Sequence, residues 1–140
     1  MSIPFGVPIP FVDHLGITLE KFEDGQSELW FPMRPEILNS FDVVHGGAIM
    51  TFLDIVLAAA ARSVEPSNGV FTIEMKTSFM QAASAPLGGR LIGRGRLLHR
   101  TRKLAFTEGG VYDPEGRLCA HATGTFKYVP RRGTDALQTD

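Results

Sequence analysis

Cysteine is all but missing from this chain: Cys119 is the only one in 140 residues. That excludes an intrachain disulfide and any cysteine-rich metal cluster, and it fits a reducing compartment. Excess charge is missing too, with 14 basic and 15 acidic residues and a formal net charge of −1, so no broad basic surface for nucleic acid or an anionic membrane is expected. There is no Gly/Ser-rich linker and no shift in composition, so residues 1–140 read as a single domain with a core over about 15–128. The opening MSIPFGVPIPF lacks a basic start and a long apolar run, and no later apolar stretch is long enough to span a bilayer. A cytoplasmic protein without a membrane partner is the expectation. Neither a P-loop nor a G-x-G-x-x-G occurs, which removes nucleotide hydrolysis and dinucleotide binding.

What the chain does have is one long helical segment, Val44 to Val64, VHGGAIMTFLDIVLAAAARSV. Ile49, Met50, Phe52, Leu53, Ile55, Val56, Leu57 and the run Ala58 to Ala61 leave it no broad polar face, so it should be buried on nearly every side. Asp54 sits in its middle, where a carboxylate is costly unless it is paired, hydrated in a cleft or employed. Gly46 and Gly47 open its first turn, whose free N–H groups and dipole favour an anion. Gly47 and Asp54 are separated by roughly 10 Å along the axis, at 1.5 Å per residue, so one small reacting group cannot touch both. At about 100° per residue, Gly47, Thr51, Asp54 and Ala58 share a narrow face of small side chains, opposite Ile49, Phe52, Leu53, Val56 and Ala60. The same helix of a second copy, running antiparallel on that face, brings each Asp54 near the other chain's Gly46 and Gly47. A homodimer with two shared sites is expected on this ground.

Elsewhere the chain alternates with period 2. A proline-rich start and a short helical turn over Phe11–Leu15 precede two strands, Gly16–Glu23 and Gln26–Met33, joined by Asp24-Gly25 as a type I′-like hairpin. After the helix come Phe71–Phe79, Arg90–Arg100, Leu104–Tyr112 and Arg117–Tyr128, the last two joined by Asp113-Pro114-Glu115-Gly116. Strict alternation puts Phe71, Ile73, Met75 and Phe79 on one face and Thr72, Glu74, Lys76 and Ser78 on the other. It likewise gathers Arg90, Arg94, Arg96 and Arg100 on one face. Pro130–Asp140 reads as a frayed tail. The fold class is α+β: a curved antiparallel sheet wrapped around one central helix.

Asn39, His45-Gly46-Gly47 and Asp54 stand in the pattern N-x5-H-G-G-x6-D. With TIEMKTSFM, RKLAF and GRLCAHATGTF, this resembles the hotdog-fold acyl-CoA thioesterases over about Leu15 to Tyr128, most of all the phenylacetic-acid-pathway type that includes the mammalian acyl-CoA thioesterase 13 group. The resemblance implies the hotdog fold and an acyl-CoA substrate, without a cofactor or a metal. It implies Asp54 as nucleophile or general base, with Asn39 orienting it from the other subunit. Gly47 N–H would polarise the thioester carbonyl beside a wall formed by His45 and Gly46, and Thr72 would hold the water or nucleophile. It also implies a homotetramer of two dimers.

Each of these residues has a plainer reading. Asp54 is otherwise a solvated helix carboxylate, which sits oddly among apolar neighbours; His45 is otherwise a ring that caps the helix or fills space, and its backbone is expected to matter more. Thr72 is otherwise a β-branched strand residue. Arg100, Arg102 and Lys103 are candidates for the phosphates of coenzyme A, against the commoner fate of a solvated basic face. Cys119, mid-strand without an activating partner, is a poor nucleophile candidate, and His14, His99 and His121 belong to no motif. A non-catalytic acyl-CoA-binding module is the alternative, and a dehydratase is disfavoured because Asp42 and His45 stand too close for a D-x4-H pattern.

Overall fold

A computed structural model describes residues 2–131 of the chain. Helix α1 (Pro10–Leu15) leads into β1 (Thr18–Glu23) and β2 (Gln26–Pro32), then a 3₁₀ turn (Pro35–Ile37) and the long helix α2 (Gly46–Arg62). Strands β3 (Asn68–Phe79), β4 (Arg90–Arg100), β5 (Leu104–Tyr112) and β6 (Leu118–Pro130) follow. All pairings are antiparallel, in one six-stranded sheet of order β1-β2-β4-β5-β6-β3, with α2 packed against its concave face. This is the architecture expected from the strand and helix pattern. The first hairpin turns where the sequence places it, with Asp24 at φ 52° and Gly25 at φ 78°, the paired positive angles of a type I′ turn. Among the described residues no helix is long and apolar enough to cross a membrane.

The helix lies unusually close to the sheet, because four strand positions facing it carry no side chain. A Cβ built on Gly93 would meet Val56 Cγ2 at 2.5 Å and Phe52 Cζ at 2.8 Å, and one on Gly95 would meet the Val56 carbonyl oxygen at 2.9 Å. On β5 and β6, Cβ atoms at Gly109 and Gly124 would meet the Leu57 methyls at 3.0 and 3.1 Å. Two side chains tie this contact down. Ser27 Oγ donates to the Val56 carbonyl at 2.8 Å and the Tyr128 hydroxyl donates to the Ala61 carbonyl at 2.7 Å, both buried.

Three sequence expectations change. The helix is not covered all round: Phe52, Leu53, Val56, Leu57 and Ala60 are buried, but Gly47 and Met50 are exposed and Thr51, Asp54 and Ala58 are only half-buried. Strict alternation fails in β3, whose register with β6 shifts between Thr72 and Glu74, leaving Ile73 as the extra residue of a bulge. Thr72 pairs with buried Phe126, and past the bulge Met75, Thr77 and Phe79 pair with Gly124, Ala122 and Ala120, so Thr72 shares the helix-facing side with them. It also fails in β4 between Leu97 and His99, so Arg100 pairs with buried Ala105 and leaves the face of Arg94 and Arg96. The expected tail begins later, since Val129 and Pro130 still pair with Gly69 and Asn68; its remainder, 132–140, lies outside the described residues.

The two sheet edges differ. Outer strand β1 is bridged by the N-terminal segment, with Ile3 N–H donating to the Leu19 carbonyl at 2.7 Å. Outer strand β3 has no such cover among the described residues, and Phe71 and Ile73 on it are 65% and 58% exposed. An open apolar edge is a template for another strand.

Two stability outcomes follow from this packing. Gly93→Ala should cost about 1–3 kcal/mol in urea unfolding, because the added methyl has no room under Val56 and Phe52. In the β5–β6 turn, Asp113 accepts from the Arg117 and Glu115 N–H groups at 2.9 and 3.0 Å and from Arg117 Nε at 2.8 Å. The backbone bond from Arg117, then its guanidinium, hold the Asp113 carboxyl below its usual range. A carboxylate with a lowered folded pKa stabilises above the unfolded value and loses that contribution as pH falls through the folded one. Asp113→Asn should therefore lower Tm at pH 7, and the two melting curves should converge below about pH 4.

Candidate active site

Helix α2 starts with His45 as its N-cap, where the ring Nδ1 accepts from Gly47 N–H at 2.8 Å. An accepting Nδ1 makes the ring neutral with its proton on Nε2, a tautomer assigned from this bond. The ring caps the helix, which is the plainer of the two readings the sequence offers for His45. It also occupies the N–H that the resemblance assigns to the thioester oxygen. Thr51 Oγ1 donates back to the Gly47 carbonyl at 2.9 Å, one turn along the same exposed stripe.

Farther down that stripe, Asp54 Oδ1 accepts from Thr72 Oγ1 at 2.6 Å. The bulge at Ile73 makes this bond possible, since it turns Thr72 toward the helix. Thr72 is thus more than a β-branched strand residue: it holds one carboxylate oxygen and leaves the other free. The carboxylate is half-buried, neither enclosed nor fully solvated.

Asn39 sits in the loop before α2. Its Oδ1 accepts from the Phe41 and Val43 N–H groups at 2.8 and 3.3 Å, and its own N–H donates to the Val43 carbonyl at 2.8 Å, beside Asp42 at φ 60°. With the carbonyl end pinned, the NH2 end is free, and an amide NH2 is a donor suited to a carboxylate.

Two clefts diverge from the start of α2. One, of about 250 Å3, runs past His45, Gly47, Ala48 and Thr51 toward α1; the other, of similar volume, takes in Asn39, Gly46, Ile49 and the segment after β3. Within one chain the structure brings together Thr72 with Asp54 and His45 with Gly47, and places Asn39 and Gly46 in a common cleft. Asp54 lines neither cleft.

The three candidate phosphate contacts separate. Arg100 is engaged, with NH1 3.2 Å from Glu65 Oε1 and its guanidinium 4.6 Å above the Tyr128 ring. Arg102 and Lys103 form an open basic shelf with Lys127 at the β4–β5 turn. Thr101 shapes that turn, its Oγ1 accepting from Lys103 and Leu104 N–H at 3.3 and 3.0 Å. His121, in no motif, does find a partner, 3.2 Å from Glu108 Oε1, while Arg96 contacts Oε2 of the same carboxylate.

The family model for the thioesterase superfamily matches residues 41–120, the span from the loop before α2 through most of the sheet. The chain belongs to the thioesterase superfamily. Among its relatives, a putative esterase of Saccharolobus solfataricus, SSO1253, is 27% identical over 112 residues, covering 80% of this chain and 73% of the relative. The proofreading thioesterase EntH of Klebsiella pneumoniae is 29% identical over 109 residues, covering 77% of each. The phenylacetic acid degradation protein PaaI of Thermus thermophilus has the same fold, with a TM-score of 0.75 at 24% identity over 85% of this chain and 98% of that one. So does smu.793 of Streptococcus mutans, solved bound to acetyl CoA, with a TM-score of 0.71 at 23% identity over 81% of this chain and 89% of that one. The architecture is the hotdog fold of these proteins, and this thioesterase is a hydrolase.

Cys119 backs the cleft that holds Asn39 and Gly46. It is 1% exposed, and burial pushes its thiol pKa up, with the nearby Asp113 charge adding to the shift. A thiol held protonated is a poor nucleophile. Native protein at pH 8 should alkylate with iodoacetamide many times more slowly than the urea-unfolded chain, followed by intact mass; equal rates would show that Cys119 is accessible and ionised.

Proposed function

We propose that this thioesterase hydrolyses acyl-coenzyme A at two equivalent sites, each formed where two copies of the chain meet. The observation that carries the proposal is the 2.6 Å bond from Thr72 to Asp54, because it lies where an uncovered helix stripe adjoins an open edge strand. Pairing β3 of one chain with β3 of another would close both open edges and set the two α2 helices side by side. Asp54 of each then approaches the start of the other's α2. Burial of Phe71 and Ile73 supports the same union. Two such dimers forming a tetramer is the further expectation carried by the resemblance.

In this reading Asp54 either attacks the thioester carbonyl or takes the proton from an attacking water, and Thr72 and the partner copy's Asn39 hold it in place. Negative charge develops on the carbonyl oxygen at the first turn of α2. Gly47 N–H receives it once the exposed His45 ring turns aside, exchanging a neutral acceptor for an oxyanion and so gaining a charge-assisted bond. With water attacking, the C–S bond breaks as the proton held by Asp54 passes to the sulfur and coenzyme A leaves as the thiol; with the carboxylate attacking, the thiolate leaves behind an acyl–Asp54 anhydride, which a water then hydrolyses to the free acid, its proton going to the thiolate. Single-turnover labelling with ¹⁸O water separates attack by carboxylate from attack by water. For the phosphates we assign Arg102 and Lys103, joined by Lys127, in preference to Arg100, which Glu65 neutralises. The acetyl CoA bound in the smu.793 structure supports the choice of leaving group.

Asp54→Asn should lower kcat/KM on acyl-CoA substrates by about 10²- to 10⁴-fold, the range of a lost general base. Thr72→Val should lower it about tenfold, through loss of one hydrogen bond to a charged group. Thiol release reports the rate, and sedimentation should show a dimer or larger in every variant. Full turnover by Asp54→Asn would overturn the assignment.

A further inference from the structure

The two clefts beside the start of α2 differ in chemistry, and so do the two arms of a coenzyme A thioester. The cleft toward α1 is walled by Leu15, Phe31, Ile37, Leu38 and Ala48, and Phe31, fully buried and packed on Phe52 at a centroid distance of 5.1 Å, closes it. Glu36 is the one carboxylate on its wall. The cleft on the other side of Gly46 also has apolar walls, Val43, Ile49, Phe79 and Met80 among them, but it alone of the two carries amide side chains, Asn39 and Gln81. The Gln81 NH2 donates to the Leu118 carbonyl at 2.9 Å, leaving Oε1 free for an amide N–H.

We infer that the acyl arm enters the α1 cleft and the pantetheine arm, with its two amides, lies in the Asn39–Gln81 cleft, so that the α1 cleft sets acyl specificity. This rests on the acyl-CoA reading above and extends it to a substrate class. The cleft is small, about 250 Å3, and ends on Phe31. The substrate class is therefore a neutral hydrocarbon acyl group short enough to end before that ring. A longer chain meets Phe31, and a chain ending in a carboxylate meets Glu36 at close range with no cation on that wall to pair with it. Leu15, half-buried at the end of α1, is a specificity residue: it borders the cleft without touching Asp54, Thr72 or the first turn of α2.

The test is a series of straight-chain acyl-CoAs from acetyl to hexadecanoyl, with thiol release as readout, on the full chain and on Leu15→Ala and Leu15→Trp. The unaltered chain should be most efficient on a short or medium chain and at least about tenfold less so on hexadecanoyl-CoA, the loss of a few buried methylenes. Leu15→Ala should move the optimum to longer chains and Leu15→Trp to shorter ones. Butyryl-CoA should be preferred to succinyl-CoA, and Glu36→Gln should narrow that preference. Each outcome is a ratio between substrates within one variant, so a smaller folded fraction does not alter it. Hydrolysis with the same length profile in both Leu15 variants, or a preference of the unaltered chain for hexadecanoyl-CoA, overturns the inference and leaves the acyl-CoA reading standing. No hydrolysis of any member overturns both.

Discussion

The close approach of α2 to a floor of glycines fixes nearly everything else in this molecule. Gly93, Gly95, Gly109 and Gly124 leave a trough one side chain deep, into which Val56 and Leu57 settle. A helix seated in a trough has little freedom to roll, since turning it would lift Val56, Phe52 and Leu57 off the glycine positions they fill. The Ser27 and Tyr128 bonds to the Val56 and Ala61 carbonyls lock the same rotation. With the lower face settled, the upper face is settled too. Gly47, Thr51, Asp54 and Ala58 must point away from the sheet, as a stripe the chain itself does not cover.

The second determinant is a single extra residue. A regular β3 would have turned Thr72 to the convex face beside Glu74 and Lys76, away from the helix. The bulge at Ile73 changes the parity on one side of it, so Thr72 points inward and Glu74 outward, and the Asp54 carboxylate gains a partner at 2.6 Å. The same device in β4 removes Arg100 from the convex cluster and sends it to Glu65 and Tyr128. Bulges are common beside functional sites because one residue re-aims a side chain without redirecting the strand.

These two features mark the limit of what was legible. The strand and helix order, the type I′ turn at Asp24-Gly25, and the division of α2 into an apolar face and a small face all follow from periodicity and turn chemistry, which are local. The glycine floor is not local: Gly93, Gly109 and Gly124 each look like a weakness in a strand until α2 lies above them. Bulges are hidden for another reason, since alternation reads the same in β3 whether or not one residue is skipped, and the skip depends on the partner strand. Strict alternation puts Thr72 on the face away from Met75 and Phe79, and only the register with β6 shows that it shares their side. The cap at His45 was among the readings of its ring, although histidine is not a favoured N-cap residue and nothing in its neighbours announces that its Nδ1 takes the Gly47 N–H.

The open edge and the uncovered stripe belong to one design. At the β1 edge, the N-terminal segment donates through Ile3 and closes the ladder. At β3 nothing comparable is seen among the described residues, although that strand has the longer run and the more exposed apolar side chains. The proposed dimer would use the bare edge. Thr72 lies on that strand, and Asp54 lies on the stripe beside it. In that assembly a carboxylate hydrated in the free chain would lose water only as a second copy arrives. Its desolvation, the approach of the partner's first helical turn and the closing of the edge would then be one event. A half-buried carboxylate suits such a proposal, with enough water to be tolerated during folding and enough enclosure to act once assembled, which neither a fully buried nor a fully exposed residue on α2 would combine.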